Sequence, residues 1–360
     1  LLGELDALRI PEHAYVNPET DAAHCCGHHA QMAGIFGAAL ALTVPEIAEK
    51  LGGQVVFFAT PAEEYGEIEF KNQLREQGKI RYGGGKCELI RTGAFDDIDL
   101  CLAHHIRPGD EIQVGSGTGN GFVSKVIRYL GKAAHAAGAP DKGVNALSAA
   151  SLGLQALGLN RETFRDEDCV RVHPIITKGG NLVNVIPDEI VIETLVRAKT
   201  IEAFTDAAKK TDRSFQAGAV AMGAKVEITT LPGYLPTLAE QALPELKRAA
   251  ELAAPEVPVR EAAGHSGGST DVGDVQHLMP VYTFNTGGVK GGLHQINFEV
   301  TNEEEAYIDT AKMFALAAYG LLKEKAARSK ELVKNYKPVF KDSAEYTKFM
   351  EQFDSKEVLD

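Results

Sequence analysis

Residue types that bind divalent metal ions are concentrated in four short segments, which are His24 to His29, Pro61 to Glu64, Ala103 to Pro108 and Gly291 to His294. In the first segment, Cys26 and His28 stand two positions apart across Gly27, so both side chains can turn toward one point. A thiolate and an imidazole together suit zinc or a similar divalent ion. Taken alone, the segment is explained equally well by a cysteine packed at a helix N-terminus beside surface histidines.

Two adjacent carboxylates, Glu63 and Glu64, follow the apolar run Gln54 to Thr60, which is typical of a strand buried on both faces. Open α/β sheets bind their ligands beyond the carboxyl ends of the strands. Neighbouring residues that leave a strand point in different directions, so one carboxylate can coordinate a metal ion while the other holds a proton. In isolation, an exposed acidic turn is the more common explanation of such a pair.

Histidines dominate the other two segments. His104 and His105 end a second buried run, Ile98 to Ala103, and one of the two should face the same edge of the sheet. His294 lies in the loop after the predicted strand Val281 to Thr286. Each segment is a weak signal alone, but four such segments at the ends of elements of one sheet favour a shared metal site.

The elements that must position these residues form two groups along the chain. In the first group, strands alternate with helices, including the buried helix Gly27 to Leu42, which predicts a layered α/β sheet. The middle of the chain has the order β-α-β-β-α-β of the ferredoxin-like split unit, with predicted elements Phe122 to Leu130, Asn145 to Leu159, Val170 to Thr177, Glu189 to Arg197, Ile201 to Met222 and Lys225 to Thr230. The first group then resumes with helix Leu238 to Ala253, strand Val281 to Thr286 and helix Asn302 to Lys323, followed by a charged helical tail. We therefore predict a domain formed by residues 1–119 and 232–360, into which residues 120–231 are inserted.

The composition limits the kinds of partner. The net charge is -13, which argues against nucleic acid because phosphate binding requires a basic face. With 44% hydrophobic and 24% charged residues, the chain has no apolar run long enough to cross a membrane. The five cysteines are an odd number scattered over the chain, which favours a reducing compartment and hence a cytoplasmic location. Leu1 lies in what reads as the end of a buried strand, and we expect further residues upstream.

Several motifs occur together in one order: Leu5-Asp6-Ala7-Leu8, His24-Cys25-Cys26-Gly27-His28, Pro61-Ala62-Glu63-Glu64, Gly131-Lys132-Ala133-Ala134-His135-Ala136-Ala137 and Asn184-Val185-Ile186-Pro187. From Leu5 to Leu322 the chain resembles the aminoacylase/carboxypeptidase family of dinuclear metallohydrolases. It is most similar to the branch of indole-3-acetyl-amino-acid hydrolases and N-acyl-amino-acid amidohydrolases, and Gly268 to Asp274 is similar to p-aminobenzoyl-glutamate hydrolases. The resemblance implies an α/β fold, with a catalytic α/β/α sandwich domain of the zinc-peptidase type and an inserted ferredoxin-like α+β lid domain that forms a dimer.

Position by position, the resemblance implies a role for each matching residue. The implied metal ligands are Cys26, His28, Glu64, His105 and His294. The general base is Glu63, the lid histidine is His135, and the carboxylate binders are Asn184 and Arg197. Asp6 matches an aspartate that lies behind the ligands. His105 is chosen over His104 by its spacing to Pro108, and His29 stands where the family usually has an acidic residue or asparagine.

The implied function is hydrolysis of the amide bond of an N-acyl amino acid or a small peptide-like substrate with a free carboxylate. Two divalent metal ions per subunit, zinc or manganese, would share the Cys26 thiolate and activate a water molecule, while Glu63 moves its proton. In the resembled family the lid pairs with its twin, so His135 would serve the other subunit of a homodimer. We expect a small-molecule substrate and neither nucleic acid nor a membrane as partner. Two alternatives stay open: a binding protein of impaired activity on the same fold, and a related dinuclear aminopeptidase.

Overall fold

The computed structural model describes residues 1–359. Its α-helices are, in chain order, α1 (His28–Leu42), α2 (Pro45–Ala48), α3 (Ile68–Glu76), α4 (Gly85–Arg91), α5 (Ala146–Asn160), α6 (Ile201–Met222), α7 (Pro244–Ala253), α8 (Val272–Gln276), α9 (Thr310–Asn335) and α10 (Ser343–Met350). Its strands of three or more residues are β1 (Leu2–Glu4), β2 (Phe58–Thr60), β3 (Cys101–Ile106), β4 (Ile112–Val114), β5 (Gly121–Leu130), β6 (Ile175–Lys178), β7 (Glu189–Ala198), β8 (Lys225–Tyr234), β9 (Val259–Glu261), β10 (Val281–Thr286) and β11 (Ser355–Leu359). Within residues 1–359, the helices are all too short or too polar to cross a membrane.

The first sheet has the strand order β9-β4-β10-β3-β1-β2. Strands β10, β3, β1 and β2 run parallel, so their carboxyl ends meet at one edge. One face is covered by α1, α7 and α9 through an apolar core that includes Ile35, Leu246 and Phe314. The other face is covered by α4 and α8 through Ile90 and Val275. The predicted α/β class, with helices on both faces of a sheet, is confirmed.

The second sheet has the order β6-β7-β5-β8-β11 and is antiparallel. Helices α5 and α6 pack against it, and the chain order of its first four strands is the predicted ferredoxin-like one. The alternating residues of Phe122 to Leu130 predict a strand that is covered on one face only, but nearly all of β5 is buried. The reason is that α3 and its flanking loop lie against it, with Glu69 3.9 Å from Arg128 and the rings of Tyr65 and Phe122 5.1 Å apart. We call Gly121 to Tyr234 the lid, and the bounds of the predicted inserted domain stay a prediction.

The end of the chain differs from the helical tail that was predicted. Ser355–Leu359 forms β11, which pairs antiparallel with β8 at the edge of the lid sheet. Upstream of it, α10 buries Tyr346, whose hydroxyl donates to Oδ1 of Asp274 at 2.8 Å. The tail therefore connects the helices of the first sheet to the lid. A short strand that is exposed over most of its length carries no apolar alternation, so its sequence gives no strand signal.

Candidate metal centre

Cys26 and His28 flank Gly27, which caps the N-terminus of α1 in the left-handed conformation with a φ of 85°. A β-carbon at position 27 would lie 2.1 Å from Cγ2 of Ile106, so only glycine fits this turn. The turn brings the thiol of Cys26 and the ring of His28 to the carboxyl edge of the first sheet, and both residues are buried. The segment is thus folded around the two predicted ligands.

Glu63 and Glu64 lie in the loop that follows β2. Ala62, directly before them, has a left-handed φ of 57°, a conformation that is uncommon for a residue with a side chain. The backbone N–H of Gly85 donates to the carbonyl of Ala62 at 3.0 Å, and a β-carbon on Gly85 would lie 1.6 Å from the carbonyl oxygen of Pro61. The loop is therefore held against the start of α4. The side chains of Glu63 and Glu64 are only 11% and 16% exposed, so this is no exposed acidic turn.

The two adjacent histidines of β3 point in opposite directions, as alternation along a strand requires. Nε2 of His105 lies 3.5 Å from Sγ of Cys26, whereas Nε2 of His104 bonds a core threonine at 2.8 Å. His294, in the left-handed conformation, places Nε2 3.1 Å from Sγ of Cys26 and 2.9 Å from Oε1 of Glu64. The structure therefore brings His105 and His294 to one site and leaves His104 in the core.

Two sets of potential metal donors share the Cys26 thiol. The first donor set is Cys26, His28 and His105, and the second is Cys26, Glu64 and His294. Within each set, one donor atom per residue lies within 4.8 Å of the others. These are the five residues that the sequence predicted as ligands. A thiolate shared by both donor sets can bridge two cations.

Bound cations would satisfy the donor atoms of the two sets better than the contacts between these atoms do. Nε2 of His28 and Oε1 of Glu64 are buried and make no well-directed hydrogen bond within residues 1–359, although they lie 3.2 Å from Oε2 of Glu4 and 2.9 Å from Nε2 of His294, respectively. A cation bound between such atoms would satisfy them. Burial, and then the charge of Glu64, raise the pKa of the Cys26 thiol far above its ordinary value. A bound cation is therefore what would displace its proton. Sets of three thiolate, imidazole and carboxylate donors suit zinc and leave a position for water or substrate.

Asp6 supports both donor sets from behind. Its Oδ1 lies 3.2 Å from Nδ1 of His28, and its Oδ2 accepts the backbone N–H of Glu64 at 2.8 Å. Burial acts to raise the pKa of Asp6, but the hydrogen bond with His28 outweighs burial, and the pKa is lowered to about 2. Nδ1 of His28 donates to the backbone carbonyl of Asp6 at 3.1 Å, beside this anionic carboxylate, which leaves Nε2 for a metal ion. His29 contacts the ring of Tyr307 at 5.8 Å, and burial lowers the pKa of His29 to about 4, so it adds no charge.

A buried ionic chain behind the site was not predicted from the sequence. Lys86 is fully buried and donates to Oε1 of Glu4 and Oδ1 of Asp271, both at 2.6 Å. Glu4, His28 and Glu63 also group as potential donors. However, both oxygens of Glu4 already accept hydrogen bonds, Oε1 from Lys86 and Oε2 from a glutamine amide at 2.7 Å, and Oε2 also lies 3.2 Å from Nε2 of His28. We therefore assign Glu4 to the ionic chain and not to a third donor set.

Glu63 has the environment expected of a proton carrier. Burial, and then the charges of Glu4 and Asp271, raise the pKa of Glu63 well above its usual value. One carboxylate oxygen lies 4.0 Å from Nε2 of His28, at the margin of the first donor set. The hydroxyl of Tyr234 donates to the backbone carbonyl of Glu63 at 2.5 Å and helps to fix the loop. A carboxyl group whose pKa is raised beside a cation site can act as a general acid or base.

The remaining predicted residues lie on the lid. Arg197 of β7 donates to a serine hydroxyl at 3.0 Å, lies 5.3 Å over the ring of Phe122 and has a buried Nε without a partner in residues 1–359. Asn184 and His135 are exposed, and within the described chain no hydrogen bond or ion pair joins them to the donor sets. Nδ1 of His135 accepts the backbone N–H of Gly138 at 3.0 Å, so the ring proton is on Nε2.

Comparison with known proteins shows the family to which the chain belongs. The profile of Peptidase family M20/M25/M40 matches residues 1–319. The chain is 28% identical to the Xaa-Arg dipeptidase of Mus musculus over 88% of this chain and 67% of that protein. It is 30% identical to one of the polypeptides of the p-aminobenzoyl-glutamate hydrolase of Escherichia coli over 55% of this chain and 38% of that polypeptide. A dinuclear metal-binding M20 peptidase of Bacillus subtilis has a similar fold, with a TM-score of 0.58, 23% identity, and coverage of 89% of this chain and 80% of that one. The predicted resemblance is thus confirmed, and the chain belongs to peptidase family M20/M25/M40.

Proposed function

We propose that the protein hydrolyses the amide bond of an N-acyl amino acid or small peptide that bears a free carboxylate, with two divalent metal ions such as zinc or manganese. The observation that carries this proposal is the pair of donor sets that share Cys26, with Glu63 beside them. A dipeptidase and an aminobenzoyl-glutamate hydrolase among the relatives support a substrate of this class. The substrate is a small molecule.

The chain's own residues divide the chemistry between them. Cys26, His28 and His105 would hold one cation, and Glu64 and His294 would hold the other together with the shared thiolate. The chemistry that divalent cations supply in such sites is activation of water and polarisation of a carbonyl group. Glu63 would accept a proton from the attacking water and deliver it to the leaving amine, a role that its raised pKa supports.

Recognition of the substrate carboxylate is assigned to Arg197, with Asn184 assisting. In residues 1–359, Arg197 has no carboxylate partner, and its buried Nε is left without a hydrogen bond. A planar guanidinium can bind a carboxylate through two parallel hydrogen bonds. This arrangement favours a substrate with a free carboxylate over the free amine that an aminopeptidase would recognise.

We further propose that two copies of the chain pair through the lid, so that His135 serves the partner's donor sets. The proton on Nε2 of His135 can stabilise a developing oxyanion. Strand β6 lies at the edge of the lid sheet, and its Ile175 and Ile176 are 61% and 45% exposed, which supports a pairing surface there. The five cysteines are all unpaired, which supports a cytoplasmic location.

A substrate panel tests the proposed function. Wild-type protein loaded with zinc or manganese should hydrolyse some members of a panel of N-acyl amino acids, aminobenzoyl-glutamate and dipeptides. The Glu63→Gln variant should keep its metal and lose activity by at least the ~10²–10⁴-fold typical of general acid–base catalysis. Binding of these compounds without hydrolysis by either protein would favour a non-catalytic binding protein instead. Near-normal turnover by the variant would rule out Glu63 as the base.

A further inference from the structure

The guanidinium group of Arg197 is contacted on one face and at one of its three nitrogens. The group lies 5.3 Å over the ring of Phe122, and Nη1 donates to Oγ of Ser269 at 3.0 Å. Nε and Nη2 make no hydrogen bond within residues 1–359, and Nη2, unlike Nε, is not fully buried. Because Nε and Nη2 form one edge of the planar group, this edge is the one that stays open. Solvent reaches it at Nη2.

The open edge of Arg197 lies near the donor sets but has no anion of its own. In the described part of the chain, Arg197 forms no ion pair with a carboxylate. Burial lowers the pKa of Arg197, and the charges of Glu63 and Glu64 are among those that oppose this shift. These carboxylates therefore act on the guanidinium group from a distance. Its hydrogen-bonding positions on the open edge are left for a ligand.

The loop that carries Ser269 is anchored on both sides of this residue. Before it, the carbonyl of Gly268 accepts the backbone N–H of Asn120 at 2.9 Å, and Asn120 is fully buried. After it, the carboxylate of Asp271 is fully buried and accepts from Nζ of Lys86 at 2.6 Å. The hydroxyl group of Ser269 therefore has a fixed position relative to the first sheet.

The hydrogen bond from Arg197 to Ser269 joins the lid to this anchored loop. Arg197 stands on β7 of the lid, and its side chain has several rotatable bonds that must be fixed before the guanidinium plane has one orientation. A bond from Nη1 to a fixed oxygen supplies this restriction and also occupies the other edge of the group. Residues 266–268, next to Ser269, are exposed, so a ligand can approach the loop from solvent.

We propose that Ser269 is a positioning residue, whose hydroxyl group aligns Arg197 so that Nε and Nη2 together receive the substrate carboxylate. This inference rests on the proposed function, in which Arg197 binds that carboxylate. A carboxylate at this edge would accept two parallel hydrogen bonds and give the buried Nε its missing partner. Ser269 acts through Arg197 and does not itself touch the substrate. Loss of the alignment should weaken recognition of the carboxylate and leave the chemistry at the amide bond unchanged.

The experiment uses the N-acyl amino acid or dipeptide that the metal-loaded wild type hydrolyses fastest, and the same compound amidated at its α-carboxylate. In Ser269→Ala, KM for the acid should rise about 10-fold with little change in kcat, and the preference for the acid over the amide should fall by the same factor. Ser269→Thr keeps a hydroxyl group and should retain the preference. Ser266→Ala is the matched control, because its hydroxyl group lies in the same loop but accepts only the backbone N–H of Gly268 at 3.2 Å. Bound metal and Tm are measured for every variant.

A double-mutant cycle tests whether Ser269 acts through Arg197. In the Arg197→Lys background, Ser269→Ala should cause no further loss of preference, because the aligned edge is already absent. A further loss in that background would show that Ser269 contacts the substrate directly, and would overturn the inference. So would an unchanged preference in Ser269→Ala, or an equal loss on acid and amide, which would indicate that Ser269 only supports the loop. These outcomes leave the proposed function standing, whereas no hydrolysis of any N-acyl amino acid or dipeptide by the loaded wild type would refute it and this inference together.

Discussion

At the scale of single residues, both donor sets depend on the thiol of Cys26. Its sulfur lies 3.5 Å from Nε2 of His105 and 3.1 Å from Nε2 of His294, which belong to different donor sets. Burial, and then the charge of Glu64, keep the pKa of the thiol high, so the proton leaves when a cation takes its place. Metal binding should accordingly release a proton and weaken as the pH falls.

Replacing Cys26 by alanine is expected to release both metal ions, because each donor set then keeps only two residues. Elemental analysis of the purified protein measures the loss. Cys25→Ala is the matched control, because Cys25 is also buried next to the site but belongs to neither donor set. Retention of both ions by Cys26→Ala would mean that Cys26 is a packed cysteine and that the assigned ligands are wrong.

The residues alone indicated four candidate segments at the ends of elements, and the resemblance to the family implied which five side chains in these segments are the ligands. The sequence did not reveal the ionic chain, since Lys86 stands 82 positions from Glu4 and 185 from Asp271. Nothing local indicates such a pairing. The one available signal was a charged residue, Glu4, within a run that otherwise reads as a buried strand. A charge in that position requires a buried partner.

At the scale of elements, the predicted bounds were correct where the sequence contains residues that start and end the element. Helix α6 has its predicted bounds because the side chain of Thr200 accepts the N–H of Ala203 at its start and Gly223 adopts a left-handed conformation at its end. The prediction that β5 is covered on one face only was wrong, because α3, a helix from a distant part of the chain, also packs against it. The periodicity of a strand reports its own faces but not every neighbour that packs on them.

The turn at the start of α1 gives a prediction at this scale. Gly27→Ala should lower the free energy of unfolding by more than the roughly 1–2 kcal/mol cost of a left-handed residue, because its β-carbon would also lie 2.1 Å from Ile106. It should reduce metal content as well, since Cys26 and His28 would shift apart. Gly78→Ala is the control: Gly78 has a φ of 69° but open space around it, so only the conformational cost applies. Denaturant unfolding of both variants measures the difference, and equal losses would contradict the argument.

At the scale of the whole molecule, the exposed His135 bears on the proposed dimer. If each site needs Glu63 from one chain and His135 from the other, mixing Glu63→Ala and His135→Ala subunits restores one intact site in each heterodimer. With equal random mixing, activity should return to about a quarter of the wild type by two-fold symmetry. Subunits are exchanged by co-expression, and light scattering establishes that dimers are present. Heterodimers that stay inactive would place His135 within its own chain's site or outside catalysis.

The C-terminal tail contacts both the lid and the helices of the first sheet. It adds β11 to the lid sheet, and its Asp354 pairs with Arg75 of α3. It also buries Tyr346 against Asp274, next to α4. The match to the family profile ends at residue 319, so these contacts lie outside the matched segment. They hold the lid and the first sheet in one arrangement.

Tyr346→Phe tests how much this arrangement depends on the tail. Loss of the hydroxyl leaves the buried carboxyl of Asp274 without its 2.8 Å donor, which should cost about 1–3 kcal/mol of unfolding free energy. Tyr319→Phe is the matched control, because the hydroxyl of Tyr319 makes no hydrogen bond within residues 1–359.

Because the tail spans both sheets, removal of residues 337–360 should have a larger effect than Tyr346→Phe. It uncovers the edge of β8 and should separate unfolding of the lid from unfolding of the first sheet. Calorimetry distinguishes one transition from two, and a single unshifted transition after truncation would show that the lid and the first sheet stay together without the tail.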